Sequence, residues 1–303
     1  MSSASTIRST TAEVVHPHRA ELGEGALWDE QRQRLLSIDI VSGCVLLFTP
    51  ATNELERHEL GQSVGSVVLT RGSEWLLALR NGFHLYNPGT RGLHLLADPE
   101  SDKPGNRFND GKCDPRGRFW AGTMVESGPQ GDAALYCYDH DHQVTRKLSG
   151  VTISNGLCWS SSEREFYYTD TPTQALQVFG FDPDTGAISE PRVVTRFEPS
   201  VGAPDGMCID AEDHLWVALW GGGRVQRIDP KTGKVVFEVL LPVTNVTSCA
   251  FGGEHLDELY ITTAKVGSSE RQLQNEPQSG CLFRARLPFR GVYAKRFAGD
   301  FSA

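Results

Sequence analysis

Apolar positions along this chain fall into short runs separated by polar turns, and the same run-and-turn unit recurs. A small residue opens a brief apolar stretch, a turn follows, and a β-rich run with an aromatic answers it. Gly25-Ala26-Leu27-Trp28-Asp29 leads to Leu35-Leu36-Ser37-Ile38, and Ser66-Val67-Val68-Leu69 leads to Trp75-Leu76-Leu77-Ala78. Gly111-Lys112-Cys113-Asp114 leads to Phe119-Trp120-Ala121, and Gly156-Leu157-Cys158-Trp159 to Phe166-Tyr167-Tyr168. Gly206-Met207-Cys208-Ile209-Asp210 leads to Leu215-Trp216-Val217-Ala218, and Ala250-Phe251-Gly252 to Leu259-Tyr260-Ile261. The starts fall at 25, 66, 111, 156, 206 and 250.

Each unit carries a second hairpin with its own turn, as at Asp182-Pro183-Asp184-Thr185-Gly186 and Asp229-Pro230-Lys231-Thr232-Gly233. Pro presets φ and Gly accepts positive φ in such turns. Flanks such as Arg224-Val225-Gln226-Arg227-Ile228 alternate as strands do. Four short strands in about 45 residues is the size of a propeller blade. The pattern therefore predicts an all-β, six-bladed β-propeller in one domain spanning 1–303. A single blade cannot bury both faces, so the units must close into a ring. Ala12-Glu13-Val14-Val15 is expected to close it against the last blade, near Leu282-Phe283-Arg284 and Val292-Tyr293. Residues 1–11, rich in Ser and Thr, read as a flexible tail. Two stacked sandwiches would not keep six units in one phase.

The chain has 303 residues and a formal charge of −9. An acidic surface disfavours nucleic acid as a partner. No apolar run is long enough for a membrane helix, and nothing points to an obligate protein partner. Seven cysteines, an odd number without a C-x-x-C, lie mostly inside apolar runs. They read as buried thiols in a reducing, cytoplasmic setting. No H-E-x-x-H or G-x-S-x-G motif occurs.

The first strand of each blade lines a propeller's channel, so the residues before each repeat start should meet at one mouth. They are Glu24, Gly65, Asp110, Asn155, Asp205 and Cys249. Carboxylates crowded there stay ionised only beside a cation, and such oxygens suit Ca²⁺, Mg²⁺ or Mn²⁺, with Zn²⁺ also accepting them. The residues alone leave a second reading open, because Asn-Gly and Asp-Gly are also turn signals. Arg107 and Asn109, just ahead of the third repeat, offer donors and an acceptor to a polyhydroxylated ligand. A plain Arg–Asp surface pair is the other reading.

These stretches resemble the regucalcin (senescence marker protein), gluconolactonase and luciferin-regenerating enzyme family. The resemblance is carried by Leu22-Gly23-Glu24-Gly25, the run from Asn106 to Lys112 with Gly122-Thr123-Met124, Ser154-Asn155-Gly156-Leu157, Pro204 to Asp210, and Thr247 to Gly253. It implies a six-bladed propeller with one divalent metal held by Glu24, Asn155 and Asp205. It implies Arg107 and Asn109 as substrate contacts, and a further contact after Gly122-Thr123-Met124. The matching position here is Ser127, with Glu126 beside it, a departure from the Glu of the animal members. Asp110 takes a supporting place behind the ligands.

The expected reaction is metal-dependent hydrolysis of a sugar lactone, aldono- or aldaro-, with Asp205 as general base on water. The same centre could serve a phosphotriester or aryl esterase, and the fold could also be a non-catalytic Ca²⁺-binding propeller. The stretch Lys265 to Gly280 reads as part of a lid or as a surface loop.

Overall fold

The computed structural model describes residues 7–301. Six antiparallel sheets follow one another along the chain and form the blades of a propeller. Their innermost strands are Gly23–Asp29, Val64–Leu69, Asn106–Cys113, Ser154–Trp159, Ala203–Ile209 and Val246–Gly252. These strands are almost wholly buried, whereas outer strands such as Glu54–Glu59 and Val144–Val151 are largely exposed. The gradient explains the apolar runs: strands covered on both faces need no polar alternation.

Glu13–His16 forms the outer strand of the sixth blade and pairs antiparallel with Leu282–Arg286, Val14 opposite Phe283. The last blade thus contains both ends of the repeat, as the sequence predicts. Two details of that expectation fail. Arg8–Thr11 is no loose tail: it pairs in parallel with Lys234–Leu240, adding a fifth strand to the fifth blade. A sheet edge offers unpaired backbone groups to any segment that can extend, and Thr suits a strand. Met1–Thr6 lie outside the described residues. Val292 and Tyr293 do not pair with the last blade either; they are exposed. The segment after Arg286 crosses the underside of the ring, bridging at Asp210–Gly291 and Thr70–Phe297.

The core lies between blades. Trp28 stacks on Tyr260 across the first and sixth, and Trp120 meets Trp159 and Phe166 across the third and fourth. All seven cysteines are free, six of them buried and Cys208 half-buried. Among the described residues no helix is long and apolar enough to cross a membrane.

Candidate functional site

Every innermost strand slips register against its neighbour near its upper end: between Glu24 and Leu27, Val64 and Ser66, Phe108 and Gly111, Ser154 and Leu157, Pro204 and Met207, and Val246 and Ser248. A bulge re-aims the side chain it carries and interrupts pairing. Six bulges in one phase bring one residue per blade to the channel mouth, a side chain in every blade but the second, where the place is held by Gly65. At Gly156 close approach demands the glycine: a Cβ there would lie 2.5 Å from the Asp205 carbonyl oxygen. In the sixth blade the ring place belongs to Thr247, not Cys249, which sits two residues further down. Thr247 Oγ1 donates to the Gly23 carbonyl at 2.5 Å and ties the last blade to the first.

Glu24, Asn155 and Asp205 do meet. Asp205 stands near enough to both Glu24 and Asn155 for each to shift its ionisation. All three are buried. Burial, then the charge of Asp110, pushes the Glu24 carboxyl up to about 8. Burial, then Glu24 and Asp110, pushes Asp205 well above the ordinary carboxylate range. Thr171 holds the Asn155 amide by accepting from Nδ2 at 2.9 Å and itself donates to Pro204 O. Among the described residues this leaves Asn155 Oδ1 buried without a hydrogen-bond partner, and Asp110 Oδ2 is in the same position.

Below the mouth, Lys112 reaches from the third blade across to the Met207 carbonyl of the fifth. Burial works against its charge, but Asp110 holds the ammonium ionised. Beneath Lys112 lies a cavity of ≈ 330 Å³, walled mainly by apolar side chains including Trp28, Trp159 and Phe251.

At the rim, Arg107 is nearly fully buried and donates to Glu126 Oε1 (2.9 Å), Phe108 O (2.9 Å) and Asn109 Oδ1 (2.8 Å). Asn109 uses its amide nitrogen on Ser154 O at 2.7 Å. Both sides of the Asn109 amide are therefore engaged in holding Arg107 against the fourth blade. Glu126 is brought to Arg107, and Ser127 is not: it stays exposed, its backbone N–H on Gly105 O. Arg80, which no motif singled out, closes on Glu126 from the second blade. Thr171 was missed for the same reason. The 265–280 stretch carries a short helix, Glu270–Asn275, capped by Ser269. It is tied down by Lys265 on Glu21 and by Glu276 accepting the Thr244 N–H at 2.7 Å.

Among the described residues no group of three or more His, Cys, Asp and Glu side chains is arranged to hold a metal. The trio that meets is two carboxylates and an amide. Its oxygen donors, its raised carboxyls and the partnerless Asn155 oxygen together fit a hard divalent cation.

The fold and this ring of bulged strands define a propeller of the lactonase and regucalcin kind, and the chain belongs to the family described as SMP-30/Gluconolactonase/LRE-like region, which it matches over residues 22–265. It is 40% identical to the putative sugar lactone lactonase YvrE of Bacillus subtilis, over 93% of this chain and 97% of that one. It is 40% identical to regucalcin of Danio rerio, over 96% and 99%. Among solved structures it is similar to a calcium-binding protein, regucalcin, from Agrobacterium tumefaciens, with a TM-score of 0.92 and 28% identity over 97% and 99% of the two chains.

Proposed function

We propose that this protein hydrolyses a sugar lactone to the open-chain acid with the help of one divalent cation. The observation that carries the reading is the meeting of Glu24, Asn155 and Asp205 at a channel mouth next to Arg107. Glu24 and Asp205 cannot both be charged cheaply in that burial unless a cation joins them. Their oxygens and Asn155 Oδ1 would hold it, and it would supply Lewis-acid stabilisation for the charge that develops on the carbonyl oxygen. Asp205 accepts the proton of the attacking water as general base. Arg107, locked by Asn109 and Glu126, orients the sugar ring by its hydroxyls. Asp110 supports the ligands from below, balanced by Lys112. A cytoplasmic location belongs to the same reading, supported by seven free thiols.

A panel of sugar lactones, with paraoxon and phenyl acetate beside them, tests this in a pH-indicator assay. Turnover of lactones should vanish in EDTA and return with Ca²⁺, Mg²⁺, Mn²⁺ or Zn²⁺. Asp205→Asn should cut kcat by about 10²–10⁴ while the protein stays folded by circular dichroism. Undiminished turnover after chelation, or a preference for the phosphotriester or aryl ester, counts against it. The second reading is a calcium-binding propeller without turnover, favoured by the likeness to the calcium-binding regucalcin of Agrobacterium tumefaciens. Calorimetric Ca²⁺ binding with no hydrolysis of any lactone would select it.

A further inference from the structure

Arg80 stands immediately after the strand Trp75–Leu79, at the same end of the ring as Glu24. Its backbone N–H donates to Ser63 O at 2.9 Å, which fixes its root. Its guanidinium meets one oxygen of Glu126 while Arg107 takes the other. A single carboxylate thus serves two guanidiniums, which hold its pKa below the ordinary value although burial opposes them. The rim group of Arg80, Arg107 and Glu126 carries one positive charge in excess.

The surplus sits on Arg80. Arg107 commits three of its five N–H donors to protein acceptors and is 7% exposed, whereas the Arg80 side chain is 39% exposed and, among the described residues, its guanidinium meets Glu126 alone. Arginine's planar fork matches a carboxylate bidentately. A neutral lactone, with hydroxyls only, gains less from a spare guanidinium held at the mouth, since a hydroxyl offers it neither a charge nor a bidentate partner. A lactone with a second, free carboxylate offers both.

We propose that Arg80 is a specificity-determining residue and that the site takes aldaric lactones, bearing a free carboxylate, in preference to aldonic ones. This rests on the lactone-hydrolase reading. Galactono-1,4-lactone and galactaro-1,4-lactone test it, since they share ring and stereochemistry and differ in whether C6 is a hydroxymethyl or a carboxylate. The wild type should favour the acidic substrate in kcat/KM. Arg80→Gln should lower kcat/KM for the acidic lactone roughly 10–100-fold, chiefly through KM, as expected for a charge-assisted hydrogen bond, and collapse the preference. Arg80→Lys should recover part of it. Rising salt should raise KM for the acidic lactone in the wild type and much less in Arg80→Gln.

Equal losses on both lactones would reduce Arg80 to a clamp on Glu126 and overturn the proposal, as would a wild type that prefers the neutral lactone. Calorimetric binding of galactarate, an unreactive dianion, keeps the two readings apart. Galactarate binding that depends on Arg80, without turnover of any lactone, sustains the specificity and sinks the hydrolase reading. Galactarate that binds the wild type and Arg80→Gln alike, or not at all, sinks the specificity whatever is hydrolysed.

Discussion

Glu24 shares in the pH behaviour of the metal-free protein with Asp205 and Asp110, whose carboxyls burial also raises. Its carboxyl ionises at about 8 in the fold, against an ordinary value of 4.5. Between those values the folded state keeps a proton that the unfolded chain has released, so stability falls as pH rises. The contribution is whole below the ordinary value and is lost as pH climbs through the folded one. Glu24→Gln removes the titration. In EDTA the Tm of the wild type minus that of Glu24→Gln should therefore fall from about pH 5 to about pH 8.5, and saturating Ca²⁺ should recover it by binding the native state. A difference that stays flat across that range would remove the raised carboxyl from the account. The residues of this trio were legible because they share a phase within the repeat. Arg80 was not, since it stands at the end of a second strand, a position no repeat comparison weighs. Cys249 was assigned to the ring because the sixth unit was phased on Ala250 rather than Ser248; with Thr247 in place of an acid, nothing in that blade marked the true register.

Bulged inner strands do the positioning, and in the fourth blade this needs a glycine that lets the neighbouring backbone come close. Gly156→Ala would place a methyl 2.5 Å from the carbonyl oxygen of Asp205. Neither side can give way freely, since both belong to paired inner strands. The variant should lose about 1–3 kcal/mol in urea denaturation, the usual cost of overpacking, and bind divalent cation more weakly by calorimetry because the strand bearing Asp205 is displaced. Unchanged stability and affinity would show that the approach is not tight. At this scale the inner strands were readable from their apolar runs and their turns. Arg8–Thr11 was not, because a polar edge strand has no hydrophobic period; it is selected by the open edge of the fifth blade rather than by its own composition.

The ring as a whole is secured at two places, by Glu13–His16 in the last blade and by the terminal segment across the underside. Closure was legible from the count of repeats, which leaves the last blade short of a strand. The crossing of the underside was not, because it depends on single buried anchors rather than on a period. Phe297 is the main one, fully buried against Tyr138 and Phe301. Phe297→Ala should cost about 3–5 kcal/mol in denaturant unfolding and leave KM for the lactone alone, since the change is made at the far end from the carboxylates. A loss below about 1 kcal/mol would mean that the segment rides on the ring without bracing it.

Lys112, stretched from the third blade to the fifth, spans the ring below the carboxylates. Its ammonium sets a positive charge between the crowded carboxylates and the apolar cavity that it also lines.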